Sequence, residues 1–137
     1  VITHLFVYGT LQRGESRWPF LEPFVVDAGD VDSIAGRLFD TGLGYPAASV
    51  TRAPMSTSST AAVARIHGHT FELARSTVDT ALRTLDEVEG AVRGLYRRVD
   101  VITTAGVRAW VYEYGADPAD HLDLTPLSGG DWLRRFS

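Results

Sequence analysis

The chain has 137 residues, 45% hydrophobic and 22% charged, with a net charge of -4, which describes one globular domain over 1–137, large enough for a core and too small for two. It contains no Cys and no Lys, which removes disulfides, thiolate nucleophiles, Cys-ligated zinc, Walker-type phosphate loops and Schiff bases. Its 13 basic residues are Arg scattered along the chain apart from Arg97-Arg98 and Arg134-Arg135, and no apolar run is long enough to span a bilayer, so neither nucleic acid nor membrane is an expected partner and a cytoplasmic protein is the expectation.

His4-Leu5-Phe6-Val7-Tyr8 is a short apolar run broken at Gly9-Thr10, the pattern of a first strand buried or nearly so. Tyr8-Gly9-Thr10-Leu11, followed by Arg13-Gly14, turns the chain sharply. A φ open to Gly9 could aim successive amides at one spot and hold a carboxylate, or the segment is an ordinary glycine turn. Glu15 to Glu22 reads as one helical turn carrying Trp18, Phe20 and Leu21 and broken by Pro19 and Pro23. Phe24 to Val31 alternates weakly, Ile34 to Asp40 is predicted as a strand ending at Thr41-Gly42, and Gly44 to Ala48 leads out of it. Thr51 to Thr60 has no periodicity and reads as a mobile loop, either plain surface or a flap over a site.

Ala61 to Leu73 is the next predicted strand, with His67 and His69 on one face. Two imidazoles without a third ligand at a recognisable spacing do not make a metal site, and none is expected. Ser76 to Glu89 reads as a helix, opened by a Ser76–Asp79 capping box, stopped at Gly90, and carrying Val78, Ala81, Leu82, Leu85 and Val88 at helical spacing. Leu95 to Ile102 and Val107 to Tyr114 form a hairpin about Thr104-Ala105-Gly106, in which Val99 and Val101 share a face, as do Trp110, Tyr112 and Tyr114, an aromatic ladder read as core, pocket wall or both, with core alone the favoured reading. Asp117-Pro118 opens a short turn or helix; near the end Asp131 is a candidate cap and Trp132 a plug against the core. Strands outnumber helices, and a single good helix sits between strands: an α+β domain with a twisted, partly closed sheet or small barrel packed against a helix.

Glu89 is the residue out of place. It lies one turn beyond Leu85 and two beyond Leu82, on or beside the buried stripe, at the negative end of the helix dipole. Desolvation and the dipole both raise a carboxyl pKa, which suits a proton shuttle near neutral pH; the alternative is a frayed last turn with Glu89 in water.

Phe6-Val7-Tyr8-Gly9-Thr10-Leu11, Gly36-Arg37-Leu38-Phe39-Asp40, Tyr45-Pro46-Ala47, His67-Gly68, Phe71-Glu72-Leu73, Leu85-Asp86-Glu87-Val88-Glu89-Gly90, Tyr96-Arg97-Arg98 and Ala109-Trp110-Val111-Tyr112, taken in order, resemble the gamma-glutamylcyclotransferase-like family, which includes the gamma-glutamylamine cyclotransferases and plant AIG2-like proteins. The resemblance runs from Leu5 to about Tyr114. It implies a small mixed, twisted β-barrel with flanking helices and a pocket where the Tyr-Gly-Thr loop faces the end of the Glu-bearing helix. By position, Glu89 matches the catalytic Glu of the Leu-Asp-x-x-Glu-Gly motif. Tyr8, Gly9, Thr10 and Leu11 match the substrate-binding loop, and Tyr96 matches a pocket Tyr. Many relatives carry Glu where His69 follows Gly68, a departure that bears on substrate choice.

The implied reaction is cyclisation of a γ-glutamyl group to 5-oxoproline with release of an amine or amino acid, without metal or cofactor. Reactant and nucleophile share one molecule, so the protein folds the substrate and moves protons. The alternative is a small-molecule-binding module that keeps the same pocket without turnover.

Overall fold

The computed structural model describes residues 2–41, 46–50, 64–88, 96–114, 125–127 and 129–134. Expectations for Gly44-Tyr45, Thr51 to Thr60, Glu89-Gly90 and Asp117-Pro118 lie outside these residues. Within them are strands β1 (His4–Val7), β2 (Asp30–Asp40), β3 (Pro46–Val50), β4 (Arg65–Glu72), β5 (Tyr96–Ile102), β6 (Arg108–Tyr114) and β7 (Thr125–Leu127), and helices α1 (Trp18–Leu21) and α2 (Val78–Val88). The strands run in the order β3-β2-β4-β1-β6-β5, with β7 beside β2. Only the β1–β6 pairing is parallel among the described strands, so the sheet is mixed.

Strand β1 reads as a continuous apolar run because both of its faces are covered. Leu5 and Val7 pack with Trp18, Leu21, Leu82 and Leu85 of the two helices. Phe6, with Tyr8 just beyond the strand, points the other way, to Ile34, Leu38, Ile66, Val111 and Trp132 inside the curl. Each fully buried Leu or Phe contributes roughly 1.5–3 kcal/mol relative to exposure.

The curl comes from β2. Its first half, Asp30 to Ala35, pairs with β4, and its second half, Gly36 to Asp40, pairs with β3. At the changeover a Cβ on Gly36 would lie 2.6 Å from the Ser49 carbonyl oxygen and 2.9 Å from Ile66 Cδ1, so only glycine fits. Glu113, 4% exposed, then ties β3 to the far side of the sheet. Its Oε2 accepts a hydrogen bond from Val50 N at 3.2 Å, and its Oε1 accepts one from Arg97 Nε at 2.7 Å. The result is an α+β domain built on a partly closed, twisted mixed sheet.

Three predicted elements change on inspection. Pro19 does not break a helix; it occupies the first turn of α1, where its missing N–H costs no hydrogen bond. The Ser76–Asp79 capping box does not open α2. A 3-10 turn over Arg75–Thr77, starting from extended Ala74 without a side-chain cap, leads into the helix. Gly44 to Ala48 is expected only to lead out of a strand, yet Pro46–Val50 is itself a strand, opening with Pro, Ala, Ala and Ser, which signal a strand poorly, at a Pro that an edge tolerates.

The strand expected from Ile34 starts earlier, at Asp30, while β4 and α2 lie within the segments expected for them and the hairpin turns where it was expected. Val99 pairs with Val111 and Val101 with Ala109, while Tyr114, Tyr112 and Trp110 oppose Tyr96, Arg98 and Asp100 on the other face. Asp131 Oδ1 accepts a hydrogen bond from Leu133 N at 3.1 Å and so caps the 3-10 turn Trp132–Arg134, with Trp132 buried in the inner core.

Asp32, 7% exposed, fastens β2 to β4 and to the hairpin turn. It accepts hydrogen bonds from Ser33 N at 2.8 Å, Thr70 Oγ1 at 3.0 Å and Ala105 N at 3.1 Å. Burial opposes its charge, but these bonds and one from the Thr103 side chain outweigh burial and hold the carboxyl below its ordinary value. Lowering of the folded pKa means that the stabilisation is full above the unfolded value near ~3.9 and disappears as pH falls through the folded value. Asp32→Ala is expected to cost on the order of 1–3 kcal/mol at neutral pH by orphaning these donors. Urea midpoints of parent and variant should converge as the pH drops below 4; a gap that persists unchanged into strong acid refutes the role assigned to the charge.

Candidate active site

Past Val7 the chain leaves the sheet and folds into successive turns. Gln12 N donates to Gly9 O at 3.1 Å, Glu15 N to Gln12 O at 2.9 Å, and Arg17 N to Thr10 O at 2.8 Å. These turns deliver the chain to α1 and leave the loop beside a recess. Phe6, Val7, Tyr8, Gly9, Thr10, Leu11, Arg17, Pro46, Tyr96 and Tyr112 line it. Its enclosed part is about 20 Å³, room for roughly one water. A glutamyl group seated against the loop would therefore extend through its open side.

The sequence reading had grouped Tyr8, Gly9, Thr10, Leu11 and Tyr96, and the structure brings all of them into the wall of this recess. Glu89 lies outside the described residues; it directly follows Val88, the last residue of α2. The expected reason for Gly9 changes. Gly9 is absent from the glycines with positive φ, so no left-handed turn requires it. A Cβ there would instead fall 2.6 Å from Pro46 Cγ and 2.9 Å from Pro46 Cδ. Gly9 is the residue that lets the loop pass over β3.

Trans peptide geometry sets where the loop amides point. In a planar trans peptide the N–H is directed opposite to the preceding C=O. Gly9 O and Thr10 O are both bonded back into the turns, so the N–H groups of Thr10 and Leu11 face the other way. Among the described residues no hydrogen bond reaches either amide, and both residues are buried. Two adjacent donors of this kind form a seat for an anion.

The tyrosines hold the walls together. The Tyr8 hydroxyl donates to Tyr112 O, and the Tyr96 hydroxyl donates to Pro46 O at 2.5 Å. Tyr112 in turn donates from its hydroxyl to Asp86 Oδ1 of α2 at 2.7 Å. Arg98 grips the same carboxylate, Nε to Oδ1 at 2.9 Å and Nη2 to Oδ2 at 3.3 Å, while its guanidinium lies 4.3 Å over the Trp110 ring. The pocket wall is thus fastened to the last turn of α2, the turn that leads to Glu89.

Sequence reasoning missed Arg17, Phe6, Val7 and Pro46 as lining residues. It favoured core alone for Tyr112, which is both core and pocket wall. Pro46 was visible as part of a motif, but only the unrecognised strand β3 brings it under Gly9. Nothing in the local sequence marks Arg17. Among the described residues no three His, Cys, Asp or Glu side chains converge as metal ligands, and no helix is long and apolar enough to cross a membrane.

Comparison with known proteins decides the family. The model of the family described as gamma-glutamyl cyclotransferase, AIG2-like, matches residues 5–134. The chain belongs to the AIG2-like gamma-glutamyl cyclotransferase family. Within the family it is 30% identical over 128 residues to the gamma-L-glutamyl-butirosin B gamma-glutamyl cyclotransferase of Niallia circulans, an alignment covering 88% of this chain and 70% of that protein. Solved structures repeat the fold. An uncharacterised protein of Pyrococcus horikoshii superposes with a TM-score of 0.63 at 20% identity, over 96% of this chain and 91% of that one. A mouse AIG2-like protein does so with a TM-score of 0.58 at 19% identity, over 86% and 81%.

Proposed function

We propose that this member of the family is a gamma-glutamyl cyclotransferase acting on a small γ-glutamyl amide. The observation that carries the reading is the pair of unengaged amides of the buried residues Thr10 and Leu11 in the wall of a recess also lined by Tyr8 and Tyr96. The substrate's α-carboxylate sits on these amides, which leaves its α-nitrogen and γ-carbonyl to be folded toward each other. The similarity to a gamma-glutamyl cyclotransferase named for gamma-L-glutamyl-butirosin B supports this chemistry.

In the reaction Glu89 removes a proton from the α-ammonium, because only the free amine is nucleophilic. The amine nitrogen attacks the γ-carbonyl carbon and closes the five-membered ring. The bond from that carbon to the leaving nitrogen breaks, the proton held by Glu89 passes to that nitrogen, and the ring nitrogen gives up its second proton through Glu89 to the released amine, which departs as an ammonium. The products are 5-oxoproline and an amine or amino acid. Atoms and charge balance without metal, cofactor or water as reactant.

A panel of γ-glutamyl amino acids, γ-glutamyl amines and a γ-glutamylated aminoglycoside, followed for 5-oxoproline by mass spectrometry, tests the proposal. Release from at least one member is the expected result. Silence across the panel from folded protein would instead identify the recess as a binding site without turnover.

A further inference from the structure

A hydrogen-bond relay that starts on β4 reaches the loop beside the recess. Gln12 is 1% exposed, an unusual place for a carboxamide, and both ends of its side chain are engaged. Nε2 donates to Gly9 O at a long 3.4 Å, alongside the 3.1 Å bond from Gln12 N to the same carbonyl. Oε1 lies 2.8 Å from Nδ1 of His69 on β4. The arrangement fixes its own chemistry. Gly9 O can only accept, so the carboxamide presents its NH₂ there and its oxygen to His69, and Nδ1 must carry a proton.

We propose that Gln12 and His69 are positioning residues for the substrate's carboxylate, a role that rests on the cyclotransferase reading above. His69 is fixed in the sheet, paired with Val7 across β1 and β4. It orients Gln12, Gln12 holds the Gly9 carbonyl, and the planarity of the Gly9–Thr10 peptide then turns the Thr10 N–H toward the recess. The bond from Arg17 N to Thr10 O does the same for Leu11 N–H and does not depend on His69. Loss of the pair leaves the Gly9 carbonyl on the Gln12 N–H alone, which loosens the aim of one of the two donors and leaves the recess in place. His69 and Gln12 are absent from the lining of the recess, so they act through the loop.

The test uses the full chain and two probes, 5-oxoproline and its carboxamide, 5-oxoprolinamide, which differ only in the group the loop would hold. Parent, Gln12→Met, His69→Phe, His69→Gln and the double variant Gln12→Met/His69→Phe are compared by calorimetric titration, with folding checked by thermal melts. The parent is expected to prefer 5-oxoproline by tenfold or more. Gln12→Met and His69→Phe should each reduce that preference about fivefold while leaving affinity for the carboxamide unchanged. The double variant should be no worse than the poorer single one, and His69→Gln, which restores a donor to Oε1, should recover most of the preference.

Equal weakening of both probes would mean a purely structural role and overturn the proposal, as would full preference retained in folded Gln12→Met. Nitrogen-15 spectra of the histidines and hydrogen exchange at the Gln12 amide read the pair without any ligand. A His69 tautomer protonated only at Nε2, or Gln12 exchange unaltered in His69→Phe, overturns the relay itself. An intact relay in a parent that binds both probes equally refutes the carboxylate seat, and the positioning role with it, while the hydrogen-bond geometry stands.

Discussion

Replacing Glu89 with Gln is expected to lower 5-oxoproline release by about a hundred- to ten-thousandfold, the usual range for removing a general acid–base group. The change keeps the shape and polarity of the side chain and deletes only its ability to carry the proton. Its effect on stability should have the opposite sign or none. Glu89 follows the last residue of α2, where the helix dipole is negative and a carboxylate is disfavoured by about 0.3–1 kcal/mol. A neutral amide there relieves that repulsion. Thermal melts and turnover measured on one preparation thus separate the two roles: activity falls while the melting temperature holds or rises. A variant with undiminished turnover would remove Glu89 from the mechanism, and one that lost activity only by unfolding would make it a structural residue.

Much of this arrangement is legible in the chain because different parts of the sequence report on different scales. The periodicity of Val78, Ala81, Leu82 and Leu85 marks α2, and all four side chains are buried. The alternation in the hairpin gives its register correctly, because a slip of one residue would exchange Val99 and Val101 for Arg98 and Asp100 on the inner face. The loop Tyr8 to Leu11 stands out because an apolar run stops at a glycine. What the sequence hides are contacts between segments far apart. Pro46 touches the loop only because β2 changes partners at Gly36, a long-range event with no local signature. Gln12 and His69 lie 57 positions apart; His69 stands out as a departure after Gly68, but nothing in the local sequence marks Gln12 as its partner. Helical spacing puts Asp86 off the buried stripe of α2, yet Tyr112 and Arg98 reach it from the sheet and make that polar side a fastening.

Gly9→Ala is the second substitution with a large expected effect, and it distinguishes two explanations of why glycine stands in the loop. If the residue were needed for backbone freedom, its φ would lie in the left-handed region, and a change at Pro46 could not compensate. The backbone there needs no such freedom, and the obstacle is the Pro46 ring, 2.6 Å from the position a Cβ would take. Overpacking of this kind costs typically about 1–3 kcal/mol. The displacement falls on two partners at once: the loop that presents Thr10 and Leu11, and the strand whose Pro46 carbonyl accepts the Tyr96 hydroxyl. Because both belong to the wall of the recess, catalytic efficiency is expected to drop by more than the stability loss alone explains, by about tenfold or more from misplacement of the reacting groups. Pro46→Ala in the same chain removes Cγ and Cδ, the atoms the new methyl would strike. The double variant should therefore recover stability and part of the activity relative to Gly9→Ala. Additive losses in that double-mutant cycle would show that the two residues do not meet in this way.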